Sequence, residues 1–294
     1  MRKIKFFVFI IMTMTLIIVF QLSCTLCESI YDLPLDISVG ETTPKGVFTD
    51  TTYEDESLSV RIETIETEKQ RVYIAYFTVK SPTQLRTALA SKPNSTTTAK
   101  PSRMGKALNA VLVINGEFYV QRTRNTLVYR QGQMIRNEPD PKKDVLIIDD
   151  KGDFHIYTSE NKAEEITQFI SDGGIIINAF SFGPAYVVDS VAQIPLKDYY
   201  FTPNEHLSRT VIAQTGELSY AFITCEGIAH DKVGFTQAEM ADFLSELNLQ
   251  QAYGLDGGQS TVMLFNNKYI GRIDSNSERT QSDIVYVCSS VSIE

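Results

Sequence analysis

The chain predicts an α+β domain: a strand-rich mixed sheet with a few packed helices, forming one catalytic-sized body behind an N-terminal targeting segment. Three observations carry this. Short runs of β-branched and aromatic residues, punctuated by turn residues, recur from Leu58 onward. Only three short segments, 85–90, 163–170 and one opening at Thr236, read as helix. No repeat of solenoid or propeller length is evident. The boundaries read as 1–27 for the targeting segment, 28–57 for a linker and 58–294 for the body.

The first segment has a basic start, Arg2, Lys3 and Lys5, and then no charge until Glu28. From Phe6 to Phe20 only Thr13 and Thr15 interrupt the apolar run. This length stands at the border between a signal-peptide core and a membrane-spanning helix. Basic residues before it place the body outside the cytoplasm, secreted or held to the membrane by this segment. Cleavage near Ser23-Cys24-Thr25, retention as an anchor, and lipidation at Leu22-Ser23-Cys24 all stay open. Cys24 and Cys27 belong to this boundary, where no strand or helix frames them as a redox or metal pair. Residues 28–57 are polar and unpatterned, as a spacer would be.

In the body, 59–65 alternates as a half-buried strand and 71–79 is a second. The stretch 92–101 is a polar loop. The run 110–114 is continuously apolar, reads as a buried strand, and stops abruptly at Asn115-Gly116-Glu117. Strands follow at 127–130, 145–149, 153–158, 174–179, 185–188, 210–214 and 218–225. Thr236-Gln237-Ala238-Glu239 is a capping box, and Met240, Phe243, Leu244 and Leu247 then share one helical face. Strands at 252–255, 261–265, 268–273 and 284–289 close the chain. Cys225 and Cys288 lie in two of these strands; buried thiols are the simpler reading, with a disulfide between them left open.

Composition narrows the function. A net charge of −9 leaves no basic stripe to neutralise a nucleic acid. It does not exclude a small phosphorylated substrate held by a few local arginines. Trp is absent, so any stacking on a sugar falls to Phe or Tyr. Three scattered histidines, His155, His206 and His230, lack the spacing that binuclear metal phosphoesterases use. No nucleophile elbow, P-loop or dinucleotide fingerprint is present.

Two strand ends carry chemistry. Leu255-Asp256-Gly257-Gly258-Gln259-Ser260-Thr261 delivers a carboxylate, two glycines that let backbone amides approach a ligand, and two hydroxyls. Asn115-Gly116-Glu117 repeats that logic. Each alone is equally well a tight turn. Together they supply the two carboxylates that glycosyl transfer to water requires. Arg209, in Ser208-Arg209-Thr210, and Arg279, in Ser277-Glu278-Arg279-Thr280, each precede an apolar strand, and guanidinium groups grip phosphate through paired hydrogen bonds. Asn178 to Pro184, which includes Phe182, mixes apolar and polar residues between strands and is either a substrate-facing loop or a packed turn.

In this order the segments resemble the phosphodiester glycosidase family over roughly 105–290. Asn115 to Tyr119, Phe180 to Pro184, Arg209 to Ala213, Leu255 to Thr261 and Glu278 to Asp283 are each similar to one of its motifs. Gln259, Ala213 and Glu117 depart from them, where a glycine, a glycine and an aspartate are usual. The resemblance implies a hydrolase that cuts the glycosidic bond of a sugar-1-phosphodiester, of the N-acetylglucosamine type, in an extracellular or cell-envelope glycan. It implies Asp256 and Glu117 as the carboxylate pair and Arg209 and Arg279 at the phosphate. Asn115, Asn178, Phe182, Thr210, Gly257, Gly258, Ser260 and Thr261 would then line the substrate. No cofactor is implied; the acidic loops leave a divalent cation open, with no spaced ligand set to hold it. The competing expectations are a non-catalytic envelope protein that holds an anionic glycan, and a phosphodiesterase that cuts P–O.

Overall fold

The computed structural model describes residues 44, 46–121, 126–199, 202–227, 232–271 and 278–290. The expected targeting segment, with Cys24 and Cys27, lies outside the described residues. Among the described residues no helix is long and apolar enough to cross a membrane.

Among the described residues three sheets make up the body. The largest has nine strands, in the order β1 (Val47–Phe48), β2 (Thr52–Glu54), β3 (Leu58–Glu66), β4 (Arg71–Val79), β15 (Ser219–Cys225), β14 (Thr210–Gly216), β16 (Gln251–Leu255), β12 (Ala185–Val188) and β13 (Val191–Ala192). A second sheet runs β10 (Phe154–Tyr157), β9 (Val145–Asp149), β11 (Ile176–Phe180), β7 (Leu127–Arg130) and β8 (Gln133–Asn137). The third runs β18 (Lys268–Tyr269), β17 (Met263–Phe265), β6 (Leu112–Asn115), β19 (Asp283–Val287) and β5 (Leu85–Leu89).

The α+β class is as expected. The mixed sheet is not: the pairings of the described strands, such as β3 with β4, β14 with β15 and β6 with β17, are antiparallel. Tight connections such as 67–70 and 217–218 favour this, because parallel neighbours need long crossovers.

The sheets bury apolar residues on both faces. Along β6, Leu112 and Ile114 enter the common core with Phe77, Phe222, Phe180 and Val285, while Val113 faces outward to Met104 and Leu108. Along β9, Leu146 and Ile148 point inward, and Val145 and Ile147 outward to Ile166. This two-sided burial explains the continuous apolar runs in the sequence. Three α-helices among the described residues cover the outer faces. These are α1 (Pro101–Ala107) on the β6–β19 sheet, α2 (Lys162–Ser171) on the β9–β11 sheet, and α3 (Gln237–Ser245) on the nine-stranded one.

Three expectations need correcting. Residues 85–90 are not helical: Leu85–Leu89 is strand β5, buried at every position and paired along β19. A stretch so short carries no period that separates the two states. The stretch 28–57 is not all spacer, because β1 and β2 extend the large sheet and Tyr53 is buried there. Helix α1 begins where the polar loop was expected to end. Its capping residue, Lys100, gives no side-chain cap; the Glu278 carboxylate instead accepts from Ser102 N (2.7 Å) and Ser102 Oγ (2.5 Å). Cys225 and Cys288 are not joined to each other: they lie buried in separate apolar clusters against different sheets.

Candidate active site

The site forms where the end of β6 meets the ends of β14 and β16. In the nine-stranded sheet Thr210 stands opposite Leu255, so the start of β14 lies beside the Asp256 turn. In the third sheet Ile114 stands opposite Met263, which sets the other arm of that turn beside Asn115.

The Asn115 side chain, fully buried, ties these ends together. Its Nδ2 donates to the carbonyls of Asp256 (2.7 Å) and Gly116 (3.0 Å). Its Oδ1 accepts from Thr210 Oγ1 (3.0 Å) and Val262 N (3.2 Å). All four hydrogen-bonding positions of one carboxamide are used, so the geometry of three loops depends on one residue. Thr210 Oγ1 also lies 3.3 Å from Thr261 Oγ1.

The glycines after Asp256 are required by contact and by conformation. A Cβ on Gly257 would sit 2.7 Å from the carbonyl oxygen of Ser208. Gly258 has φ +58° and donates its N–H to that same carbonyl at 2.8 Å. A 3-10 turn, Gly258–Ser260, follows. Ser260 Oγ then accepts from Arg279 Nη1 at 2.9 Å, and the Arg279 guanidinium lies 4.8 Å above the Phe118 ring. Arg279 is exposed, so its charge is offered to solvent next to the buried carboxylate-bearing turn. The structure thus brings together Asn115, Thr210, Asp256, Gly257, Gly258, Ser260, Thr261 and Arg279.

Glu117 is beside this group but differently engaged. Its Oε1 accepts from Arg130 Nη2 at 2.8 Å and its Oε2 from Ser181 N at 2.7 Å. The same Arg130 Nη2 donates to Asp283 Oδ2 at 2.8 Å. All three side chains are almost fully buried. Burial pushes the Glu117 carboxyl above its ordinary range against the pull of Arg130, and the nearby Asp283 charge adds to the rise. Asp283 also accepts from Phe118 N at 3.1 Å, which holds Phe118 at φ +51° beneath Arg279. Glu117 is therefore a member of a buried ion triad beside the site, with both carboxylate oxygens engaged.

Arg209, Asn178 and Phe182 are also placed otherwise than expected. The Arg209 Nε donates to Phe235 O (2.9 Å), and Nη2 to the carbonyls of Thr202 (3.0 Å) and Glu205 (2.7 Å). Its guanidinium braces loops on the α3 side of the sheet; strand alternation sends it to the face opposite Thr210. Asn178 Oδ1 accepts from Thr87 Oγ1 (2.6 Å) and Gln131 N (3.1 Å), joining β11 to β5. Phe182 is buried, its N–H donating to Tyr253 Oη (2.8 Å) and its carbonyl accepting from Tyr199 Oη (3.1 Å). That loop is a packed turn.

The residue missed from sequence is Arg130, together with the role of Asp283. Asp283 lies in the Glu278–Asp283 motif already singled out, whereas Arg130 carries no local signal: it ends an ordinary strand before a turn. Among the described residues no group of three His, Cys, Asp or Glu side chains is placed to hold a metal. A cavity of about 560 Å³ lies elsewhere, between Asp144, Ala185, Ile194, Leu196 and Tyr199, and is lined by none of the expected residues.

Comparison with solved structures gives the fold a context. The chain is similar to the zebrafish N-acetylglucosamine-1-phosphodiester alpha-N-acetylglucosaminidase catalytic domain, described as auto-inhibited by its pro-peptide. The TM-score is 0.63 at 15% identity, over 80% of this chain and 85% of that one. It is also similar to a hypothetical protein from Synechocystis, with a TM-score of 0.61 at 13% identity, over 79% of this chain and 62% of that one. No curated protein matches the sequence. The family model described as phosphodiester glycosidase matches residues 108–288, a span that holds every residue of the converged group. The chain belongs to the phosphodiester glycosidase family of hydrolytic enzymes.

Proposed function

We propose that the protein hydrolyses the glycosidic C–O bond of a sugar-1-phosphodiester, with N-acetylglucosamine as the sugar class, in a glycan outside the cytoplasm. The observation that carries this reading is the hydrogen-bonded convergence of the Asp256 carbonyl and Thr261 on Asn115 and Thr210, with Arg279 bonded to Ser260 of the same turn, from segments far apart in the chain. The targeting segment read from residues 1–27 supplies the extracytoplasmic setting and the membrane attachment.

The chemistry follows from the charges. A phosphate monoester is a weak base and leaves readily, so the enzyme needs charge stabilisation more than a strong acid at the leaving oxygen. Arg279, exposed and steadied by Ser260 and Phe118, holds the phosphate. Asp256 meets the anomeric carbon as nucleophile or as base toward water. Water adds its oxygen to that carbon, the C–O bond to phosphate breaks, and the products are free sugar and a phosphate monoester. Glu117, Arg130 and Arg209 position the loops.

The test is Asp256→Asn, assayed on an alkyl N-acetylglucosamine-1-phosphodiester. The variant should fold and lose on the order of 100-fold or more in kcat. In ¹⁸O-labelled water the label should appear in the sugar; label in the phosphate means P–O cleavage, and an intact diester retained on the protein means a binder.

A further inference from the structure

We infer that a nook beside the Asp256 turn, walled by Glu226, Tyr73, Thr224 and Thr261, takes one hydroxyl group of the sugar, so that Glu226 selects which sugar is accepted. This rests on the reading of the site as a sugar-phosphodiester pocket.

The nook has a volume of about 10 Å³ and is also lined by Cys225, Val262, Met263 and Ile270. That is room for one oxygen atom of water size and no more. Its polar walls come from β4, from β15 and the residue just past it, and from the Asp256 turn. Thr224 stands opposite Tyr73 on β4 and opposite Thr210 on β14, so all three side chains emerge on the same face of the sheet. Glu226 follows two residues after Thr224 and returns to that face. Tyr73 Oη donates to Glu226 Oε1 at 2.7 Å, and Arg71 Nη1 donates to Glu226 Oε2 at 2.8 Å. The carboxylate is 2% exposed. On the other wall Thr261 contacts Thr210, which bonds Asn115, which in turn holds the Asp256 carbonyl. The nook therefore borders the same turn as the candidate site.

Chemistry decides what fits. Burial and the adjoining Glu226 charge hold the Tyr73 hydroxyl well above its ordinary range, so it remains a protonated donor to the carboxylate. A carboxylate oxygen accepts more than one hydrogen bond, and threonine hydroxyls both donate and accept. A guest that donates to Glu226 and accepts from a threonine matches this wall; an R–OH group does so. A phosphate oxygen would face a like charge. The two sides of the turn accordingly differ, with the exposed Arg279 cation at Ser260 and the Arg71-paired Glu226 carboxylate in the nook that Thr261 lines. A sugar phosphate then binds in one direction, phosphate toward Arg279 and sugar toward Glu226.

The experiment uses the full chain and Glu226→Gln, with Tyr73→Phe as a milder second variant. Inhibition of turnover is measured with N-acetylglucosamine, its monodeoxy analogues and inorganic phosphate. In the wild type, one deoxy analogue should bind about tenfold more weakly than the parent sugar. In Glu226→Gln the parent sugar should weaken by about that factor, the deoxy analogue should lose nothing more, and phosphate should be unaffected. Tyr73→Phe should shift the same analogue in the same direction by less. Loss of sugar and phosphate affinity together assigns Glu226 a purely structural role and overturns the inference. A fall in kcat with sugar affinity unchanged assigns it to water and also overturns it. If the wild type shows no turnover, the proposed reaction fails; calorimetric binding of the same sugars still decides the nook.

Discussion

Among single residues, Arg130 has a large expected effect on stability. Its guanidinium is fully buried, lies 4.3 Å from the Phe180 ring, donates to Ala179 O (2.6 Å) and Tyr129 O (2.8 Å), and bridges Glu117 and Asp283. Removing one partner of a buried ion cluster leaves uncompensated charge in a low-dielectric interior, which costs more than the contact itself is worth. Arg130→Met, close in length, should destabilise the protein by about 3–5 kcal/mol, seen as a lower urea midpoint with little change in slope. A midpoint within experimental error of the wild type rejects the triad as a stabilising element. Arg130 was illegible in the sequence for a physical reason. Its partners lie 13 and 153 positions away, and nothing in Leu-Val-Tyr-Arg marks a buried charge. Asn115, Asp256 and the two glycines were legible because a carboxylate and glycines at a strand end announce backbone geometry locally.

At the scale of elements, legibility follows how local the determinant is. Helix α3 was readable at its first residue, since Thr236 Oγ1 accepts from Glu239 N at 3.1 Å and Glu239 Oε2 accepts from Thr236 N at 2.8 Å, within one turn. Helix α1 was not, because its cap comes from Glu278, 176 positions away. The β6 terminus combines both cases: Asn-Gly-Glu was visible, but the reason for the glycine was not. A Cβ on Gly116 would lie 2.2 Å from Asp283 Oδ2, and Asp283 cannot yield because Arg130 and Phe118 N hold it. Gly116→Ala should therefore cost about 1–3 kcal/mol and lower kcat, because the displaced Asp283 shifts Phe118 beneath Arg279. Thermal denaturation with parallel kinetics checks this; an alanine variant with wild-type melting and turnover would show that the close approach has no consequence.

For the whole molecule, three sheets must meet in register for the site to exist. The sequence foretold the strands but not their assembly, since the joints are single polar side chains between distant segments. Asp144 is one such joint. It precedes β9, its Oδ2 accepts from Ala185 N of β12 at 2.9 Å, its carbonyl accepts from Tyr253 Oη of β16 at 2.7 Å, and its N–H donates to Tyr199 Oη at 2.9 Å. Burial raises the Asp144 carboxyl, only partly opposed by the Ala185 N–H, Lys162 and Tyr199. An acid whose folded-state pKa lies above its unfolded value binds its proton more tightly when folded. Its contribution is then most favourable below the unfolded pKa and is lost as pH rises through the folded one. Asp144→Asn keeps an acceptor for Ala185 N and removes the buried charge. The difference in stability, variant minus wild type, should grow in favour of the variant between about pH 4 and pH 8, because every group common to both cancels. Urea midpoints at the two ends of that range measure it. An offset equal at both ends means that Asp144 does not titrate against folding, and that the joint between the sheets is indifferent to its charge.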